Sequence, residues 1–185
     1  MNIIKICFIG IILTISSTAS SEIDPLKNIN ERTHVLNQTL DLQLASPIAR
    51  FYKRVTPDFI EISITNFTRN IEDLSIAINN TLQGKLTDGI SDITRFTINS
   101  TLGIGGFIDV ASGLGLDKND EDFGQTLAVW GIPDGPYLVL PGLGPSTMRD
   151  TLAMIPDAFL TPLWLIDHDR TAYSLTAIDL VDTRA

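Results

Sequence analysis

Cysteine is almost absent from this 185-residue chain. The single one, Cys7, lies within an apolar stretch over residues 6–15 that is too short to span a bilayer and is followed by small residues. This arrangement predicts a secretory signal peptide over residues 1–19, cleaved near Ala19 or Ser21. The mature chain would then contain no cysteine, which excludes disulfide bonds, cysteine nucleophiles and thiolate metal sites.

Long hydrophobic runs and positive charge are also scarce. No stretch of the mature chain has the roughly eighteen unbroken apolar residues of a membrane-spanning helix. Of the 13 Lys and Arg residues, removal of Lys5 with the leader leaves 12 against 22 Asp and Glu, so the net charge changes from −9 to −10. Such an acidic chain is poorly suited to phosphate backbones, which excludes nucleic acid as a partner. Its net charge would not attract anionic lipid headgroups either, so we expect any lipid contact to rest on apolar surface.

The most basic patch in the chain is formed by Arg50, Lys53 and Arg54, in a predicted helix over residues 48–55. A cluster of this kind is usually a solvated helix face, and this is the interpretation that we favour. Contact with a partner or with lipid headgroups is the alternative.

Histidine is limited to His34 and His168. The chain contains the residue types of a hydrolase triad, with Ser146 or Ser174 as nucleophile, His168 as base and a carboxylate. However, no nucleophile elbow or similar motif surrounds either serine. We therefore expect that this protein is not an enzyme.

Two further motifs fail the tests for a metal or cofactor site. The acidic segment over residues 117–122 lacks the glycine and glutamate of a calcium-binding loop, because Asp122 and Val129 stand at those positions. The glycines at 103, 105 and 106 follow a predicted helix, whereas a dinucleotide fingerprint follows a buried strand. We expect a solvated loop at the first motif and close helix packing at the second, and no cofactor.

Apolar residues recur at helical spacing along most of the mature chain. They predict amphipathic helices over residues 25–44, 48–55, 59–67, 71–82, from 86 to about 99, and 172–181, with a short apolar segment at 152–159. Pro47 should end or bend the first helix, and Gly84 should stop the helix before it. No convincing paired strands appear, so the predicted fold class is mainly α.

Residues 95–150 differ from the rest in holding most of the glycines and little positive charge. Glycine costs about 1 kcal/mol in a helix interior relative to alanine, so residues 99–116 should form a bent, closely packed apolar element. Pro and Gly at short spacing over residues 130–142 predict an ordered loop with an apolar surface.

This segment also carries a family resemblance. The motifs are Arg95-Phe96, Asn99-Ser100-Thr101-Leu102-Gly103, Gly105-Gly106, Asp109-Val110-Ala111, Glu121-Asp122-Phe123-Gly124-Gln125-Thr126-Leu127, Trp130-Gly131, Gly135-Pro136-Tyr137-Leu138-Val139-Leu140-Pro141, Gly144-Pro145-Ser146 and Arg149-Asp150. Together they resemble the MlaA/VacJ family of outer-membrane proteins, and shorter matches such as Asp24-Pro25-Leu26 and Leu82-Gln83-Gly84 extend the likeness to the earlier helices.

The resemblance implies a ring-like arrangement of amphipathic helices, with a glycine-rich central element and an ordered Pro/Gly-rich loop, embedded in the outer membrane around an amphipathic channel. Family members are held to pass mislocalised phospholipids from the outer leaflet towards the periplasm, which maintains lipid asymmetry. The implied partners are phospholipid, a trimeric outer-membrane porin and a periplasmic lipid-carrier protein. We expect residues 24–185 to form one such domain on the periplasmic side of the outer membrane.

Within that domain, the resemblance directs attention to the glycine-rich element as the channel region. The candidate channel or lipid-binding residues are Asn99, Gly103, Gly105, Gly106, Phe107 and Asp109. Asp109 is the lone charge in an apolar run, so we expect it to face the channel or to pair internally rather than to face lipid. The amide-rich face of the first helix is a further candidate to accept a lipid headgroup.

Two departures from the family pattern leave alternatives open. Family members usually carry a lipid on a cysteine at the cleavage site, where this chain has none, and they continue into a helical tail beyond the position of Ala185. We therefore expect no lipid anchor, and a chain that is either shortened at its C-terminus or a fragment. A soluble periplasmic scaffold is the alternative function, and a periplasmic hydrolase is the third.

Overall fold

The computed structural model describes residues 24–161, and the mainly α prediction is confirmed for them. The elements in order are α1 (Lys27–Leu40), a π-helical turn (Asp41–Ala45), α2 (Ser46–Val55), α3 (Asp58–Leu82), α4 (Leu86–Thr101), α5 (Val110–Gly113), α6 (Phe123–Val129), β1 (Tyr137–Leu140), β2 (Gly144–Thr147) and α7 (Met148–Leu160). The predicted signal peptide, Cys7, His168, Ser174 and the predicted helix 172–181 lie outside the described residues.

The chain stays helical through Pro47, where the sequence predicts an end or a bend. Proline lacks a backbone N–H and clashes with the carbonyl four residues earlier in a regular helix. A π-helical turn precedes it, in which the Ser46 N–H donates to the Asp41 carbonyl, one residue further back than in an α-helix. The helix then ends at Thr56, whose backbone is extended because proline follows it.

Helices α3 and α4 form a hairpin that is the centre of the fold. Residues 59–67, for which helix was favoured over strand, lie within α3 as predicted. The stop at Gly84 is also confirmed, because this residue has a φ of 82° and the next N–H, that of Lys85, donates to the Asn80 carbonyl. At Gly89, a Cβ atom would lie 3.0 Å from the Ala77 carbonyl oxygen, so the two helices approach closely.

The expectation of no paired strands is wrong. Strands β1 and β2 form an antiparallel hairpin with Tyr137 opposite Thr147 and Leu140 opposite Gly144. Each strand has only four residues, which is too short for an alternating pattern to stand out among prolines and glycines. Pro145 is tolerated because a two-stranded sheet consists of edge strands.

Helix α1 supplies part of the hydrogen bonding that the short hairpin lacks. The Asn30 amide nitrogen donates to the Tyr137 carbonyl at 3.1 Å, and its amide oxygen accepts from the Val139 N–H at 2.9 Å. About two turns further along the same face of α1, Asn37 donates to the Leu140 carbonyl and accepts from the Gly142 N–H. These two amides bind the hairpin, so they do not serve as the headgroup acceptors that the sequence suggested.

We predict that Asn30→Ala destabilises the fold by about 2–3 kcal/mol, because it leaves the buried Val139 N–H and the Tyr137 carbonyl without this partner. Thermal unfolding of the purified protein measures the effect. Asn28→Ala, at an exposed position on the same helix, should change stability by no more than about 0.5 kcal/mol. Equal effects of the two substitutions would show that the contact between Asn30 and β1 does not hold the hairpin.

Candidate functional site

Polar side chains fill the interior between the helices, and large apolar side chains lie outside. Buried apolar residues are few and mostly small: Ala49, Ile76, Ala77, Ala111, Val139 and Ala153. The buried polar and charged residues are Asn30, Asn70, Asp73, Ser75, Asn79, Asn80, Asp92, Arg95, Asn99 and Thr126. By contrast, Phe59 and Ile90 are each 67% exposed and Ile104 is 70% exposed. This reverses the distribution in water-soluble domains, where Asn, Asp and Arg are mostly on the surface.

Arg95, on α4, is the centre of a buried charge cluster. Its guanidinium donates to the Ser112 hydroxyl at 3.0 Å, to the Leu116 carbonyl, and to both carboxylate oxygens of Asp109 at 3.3 Å. The Nε atom lies 3.6 Å from an Asp73 oxygen, and the Arg95 side chain is only 3% exposed. One side chain therefore connects α3, α4 and the chain that follows α4.

Lys118 is the second cation of the cluster. Its Nζ donates to an Asp73 oxygen and to the Arg69 carbonyl, both at 2.8 Å. Burial raises the pKa of Asp73, and the nearby Asp92 carboxylate adds to the rise. The hydrogen bond and charge of Lys118 and the charge of Arg95 act in the opposite direction but do not cancel the effect of burial. The buried charge cluster of Asp73, Arg95, Asp109 and Lys118 pairs two acidic with two basic side chains, which lowers the cost of its burial. Asp92 and Glu72 add negative charge beside it.

The structure brings the predicted site residues together at the end of α4. The Asn99 amide donates to the Asp109 carboxylate at 3.0 Å and accepts from the Ala111 N–H at 2.9 Å. The Gly106 N–H donates to the Asn99 carbonyl. A Cβ atom at Gly103 would lie 2.1 Å from the Ile108 carbonyl oxygen, so only glycine fits there.

Two of the six predicted residues face away from this interior. Gly105 is exposed, with a φ of 73° and open space around it. Phe107 is 44% exposed and stacks on Phe67 with a centroid separation of 5.0 Å. The structure thus separates the set into an inner group, Asn99, Gly103, Gly106 and Asp109, and an outer pair. Their roles in lipid binding stay a prediction.

Sequence reasoning missed the polar face of the α3–α4 hairpin. Across it, Asn80 donates to Asp92 at 2.8 Å, Arg95 lies beside Asp73, and Asn70 donates to the Ser100 hydroxyl at 3.0 Å. A usable signal was present, because this face of α3 carries Asn, Asp and Ser at helical spacing. A solvated face of a long helix would more often carry Lys, Glu and Gln, which favour helix formation.

The segment over residues 117–122 is less solvated than predicted. Asn119 donates to the Asp92 carboxylate at 2.8 Å, and Glu121 accepts from Gln83 and from Lys85 near the turn between α3 and α4. The segment is thereby held along the hairpin. No group of three or more His, Cys, Asp or Glu residues within 24–161 could hold a metal ion.

The residues of the alternative hydrolase are only partly described. Ser146 accepts a hydrogen bond from the Thr151 hydroxyl and donates to the Thr147 carbonyl. His34 lies on the exposed surface of α1. His168 and Ser174 lie outside the described residues.

An apolar groove of about 390 Å³ lies on the outside of the hairpin, where the end of α7 meets it. Its lining residues are Leu74, Ala77, Ile78, Thr81, Leu82, Ile93 and Leu160. The Thr81 hydroxyl donates its hydrogen to the Ala77 carbonyl within its own helix, so only its oxygen remains available, as an acceptor. No helix within residues 24–161 is both long and apolar enough to cross a bilayer.

Comparisons with known proteins identify relatives across nearly the whole chain. The model of the MlaA lipoprotein family matches residues 22–185. An uncharacterized protein of Rickettsia conorii is 36% identical over 162 residues, which cover 87% of this chain and 64% of that protein. The intermembrane phospholipid transport system lipoprotein MlaA of Escherichia coli K12 is 36% identical over 148 residues, covering 77% of this chain and 59% of the relative. This chain thus spans less than two thirds of the length of either relative.

The fold of this chain also matches a solved structure, from work on the structural basis for maintenance of bacterial outer membrane lipid asymmetry. It matches this chain with a TM-score of 0.79 at 30% identity, covering 89% of this chain and 84% of the other. The ring-like helical fold that the resemblance implies is confirmed by this match.

The electrostatic environment of Asp109 generates a pH prediction. Burial raises its pKa, but hydrogen bonds from Ser112 and Asn99 and the charge of Arg95 outweigh burial and lower the pKa from 3.8 to about 2. Because the folded-state pKa is depressed, the ionised side chain stabilises the fold fully above about pH 4, and this contribution is lost as pH falls towards 2.

We therefore expect Asp109→Asn to destabilise the protein at pH 7 by roughly 1 kcal/mol, a value reduced for the partial exposure of the side chain. The difference from the unsubstituted protein should shrink between about pH 4 and 2. Thermal unfolding in detergent across this pH range measures it. Asp117→Asn, on an exposed carboxylate, is the matched control and should stay within about 0.5 kcal/mol at pH 7. A constant difference for Asp109→Asn at every pH would contradict the prediction.

Proposed function

This chain belongs to the MlaA lipoprotein family, and on that premise we propose that it takes part in intermembrane phospholipid transport. It removes mislocalised phospholipids from the outer leaflet of a Gram-negative outer membrane and so maintains lipid asymmetry. The phospholipid-transport name of the Escherichia coli relative and the subject of the matching solved structure support this proposal.

The observation that carries the proposal is the polar interior combined with the apolar exterior. Apolar surface left in water costs roughly 25 cal/mol per Å², so the exposure of Phe59, Ile90 and Ile104 is unfavourable in an aqueous environment. In hydrocarbon that cost disappears, and the requirement becomes that polar groups find partners inside the protein. Most buried polar side-chain atoms of residues 24–161 meet this requirement, and those without a hydrogen-bond partner are Asn70 Oδ1, Asp73 Oδ2, Gln83 Oε1 and Arg95 Nε. This arrangement favours a membrane-embedded protein over a periplasmic scaffold.

The proposed mechanism is selection by geometry, in which no covalent bond is made or broken. Apolar side chains hold the ring of helices in the membrane, and an amphipathic channel gives the polar headgroup a path through it. We assign Asn99, Gly103, Gly105, Gly106, Phe107 and Asp109 to the channel region. Within the buried charge cluster, Asp109 is 30% exposed while Arg95 is 3% exposed, so Asp109 is the more accessible of the two to a headgroup.

Location and partners follow from the same proposal. The signal peptide exports the chain, and its apolar exterior retains it in the outer membrane on the periplasmic side. A trimeric porin is the proposed partner within the membrane. A periplasmic carrier protein is proposed to receive the phospholipid, and no cofactor takes part.

The test is the amount of phospholipid exposed on the surface of cells that lack the native protein, with and without this chain restored. Surface phospholipid should rise on deletion and return to the original level when the chain is expressed. An absence of any rise would reject the proposal. A rise that this chain fails to reverse would contradict the proposal for this chain.

Two matched substitutions extend this assay to the site. Asp109→Leu should leave surface phospholipid at the level of the deletion strain, because it removes the accessible carboxylate of the channel region. Asp117→Leu removes an exposed carboxylate outside that region and should restore the original level. Protein amounts are compared on immunoblots, and full restoration by Asp109→Leu at an equal amount would remove Asp109 from the mechanism.

Carbonate extraction distinguishes the embedded ring from the periplasmic scaffold. Alkaline carbonate releases proteins that are held on a membrane by polar contacts, so a scaffold should appear in the supernatant. An embedded ring should remain with the membrane pellet, since its apolar exterior is in contact with hydrocarbon. Recovery in the supernatant would favour the scaffold and contradict the proposed mechanism.

A further inference from the structure

Helix α2 (Ser46–Val55) has an exposed apolar face. Ile48, Phe51 and Val55 recur at helical spacing and are 50%, 67% and 56% exposed. Ala49 is 3% exposed, so another side of the helix is packed against the protein. The three large apolar residues are therefore presented outward by a helix that is anchored to the fold.

The opposite face of α2 is basic. Arg50, Lys53 and Arg54 are all exposed. At 100° per residue, Arg50 and Lys53 lie roughly 130–170° around the helix from the centre of the apolar face, and Arg54 lies roughly 90° from it. Lys53 lies 4.0 Å from the Glu61 carboxylate. Within residues 24–161, Arg50 and Arg54 form no ion pair, so their charges are available to an external partner.

Local charge on α2 is opposite to that of the chain as a whole. The helix contains three basic residues and no acidic one, in a chain of net charge −9. Electrostatic attraction at a surface is set within a Debye length of about 8–10 Å. Within that distance Glu61 offsets Lys53, and Asp41 contacts Ser46 at the start of α2, so the attraction of α2 for anions rests on Arg50 and Arg54. Lys53 and Arg54 also suit the negative end of the helix dipole, but that effect is confined to the last turn and does not account for Arg50.

We propose that α2 is an interfacial anchor for anionic phospholipid. Its apolar face enters the boundary between headgroups and acyl chains, and Arg50 and Arg54 contact the headgroup phosphates. The inference rests on the proposed membrane location, and it takes up the alternative that the sequence analysis left open, in which the basic patch contacts lipid headgroups. A helix with both features lies in the plane of the membrane surface, so α2 would also orient the ring relative to the leaflet.

The test uses the full chain, diluted from detergent into vesicles of phosphatidylcholine alone or of phosphatidylcholine with phosphatidylglycerol. Flotation gives the lipid concentration at which half of the protein is bound. Each basic residue near an anionic surface is worth about fivefold in partitioning, so Arg50→Gln with Arg54→Gln should weaken binding to the anionic vesicles by about 25-fold at low salt. The loss should be smaller at high salt because the charges are screened.

Two control variants identify the cause of any loss. Arg32→Gln with Arg69→Gln removes the same number of charges from exposed positions on α1 and α3, and it should leave the preference for anionic vesicles unchanged. Arg50→Lys with Arg54→Lys keeps the charge on α2 and should also keep the preference.

The outcomes separate this inference from the proposed function. Equal binding of the unsubstituted chain to both kinds of vesicle, or equal losses for the α2 pair and the Arg32 and Arg69 pair, overturns the anchor and leaves membrane embedding intact. Failure to bind either kind of vesicle overturns both. Binding that depends on phosphatidylglycerol, on salt and on Arg50 and Arg54 supports the anchor.

Discussion

Buried polar groups between α3 and α4 have no access to water, so each requires a partner inside the protein. Along the hairpin, Asn80 donates to Asp92 and Asn70 donates to Ser100, while Arg95 and Asp73 form an ion pair at 3.6 Å without a hydrogen bond. A shift of either helix by one residue would separate all three pairs at once. The hydrogen-bonding requirement thus fixes the register of the hairpin, and the hairpin is the template against whose polar side the remaining elements pack.

The glycine-rich segment depends directly on that template. Arg95 extends from α4 to Asp109 and to the Leu116 carbonyl, so it holds the turn after α4 at both of its ends. Asn99 adds a contact with the Ala111 N–H. Gly103 and Gly106 leave room for this close approach, since a Cβ atom at either position would collide with its neighbours. Side chains that would otherwise be costly to bury therefore position the proposed channel region.

Helical spacing predicted α3 and its end at Gly84, because the period of the apolar residues and the need for a positive φ are both local properties. Spacing gives two faces of a helix, however, and does not say which one is inside. The choice is made by the surroundings, which lie outside the local sequence. The hairpin of β1 and β2 escaped prediction for a related reason, since part of its stability comes from Asn30 and Asn37 about a hundred residues earlier.

In the turn after α4, one non-glycine residue has a left-handed backbone conformation and an exposed apolar side chain. Ile104 has a φ of 56°, in the left-handed region that a β-branched residue adopts only at a cost of about 1–2 kcal/mol. Glycine or asparagine would be less strained there, yet the position carries a large apolar side chain that is 70% exposed. In water this combination is unfavourable twice, in backbone strain and in apolar exposure. Contact with hydrocarbon removes the second cost and can offset the first, which makes Ile104 a side chain suited to the lipid-facing surface of an embedded ring.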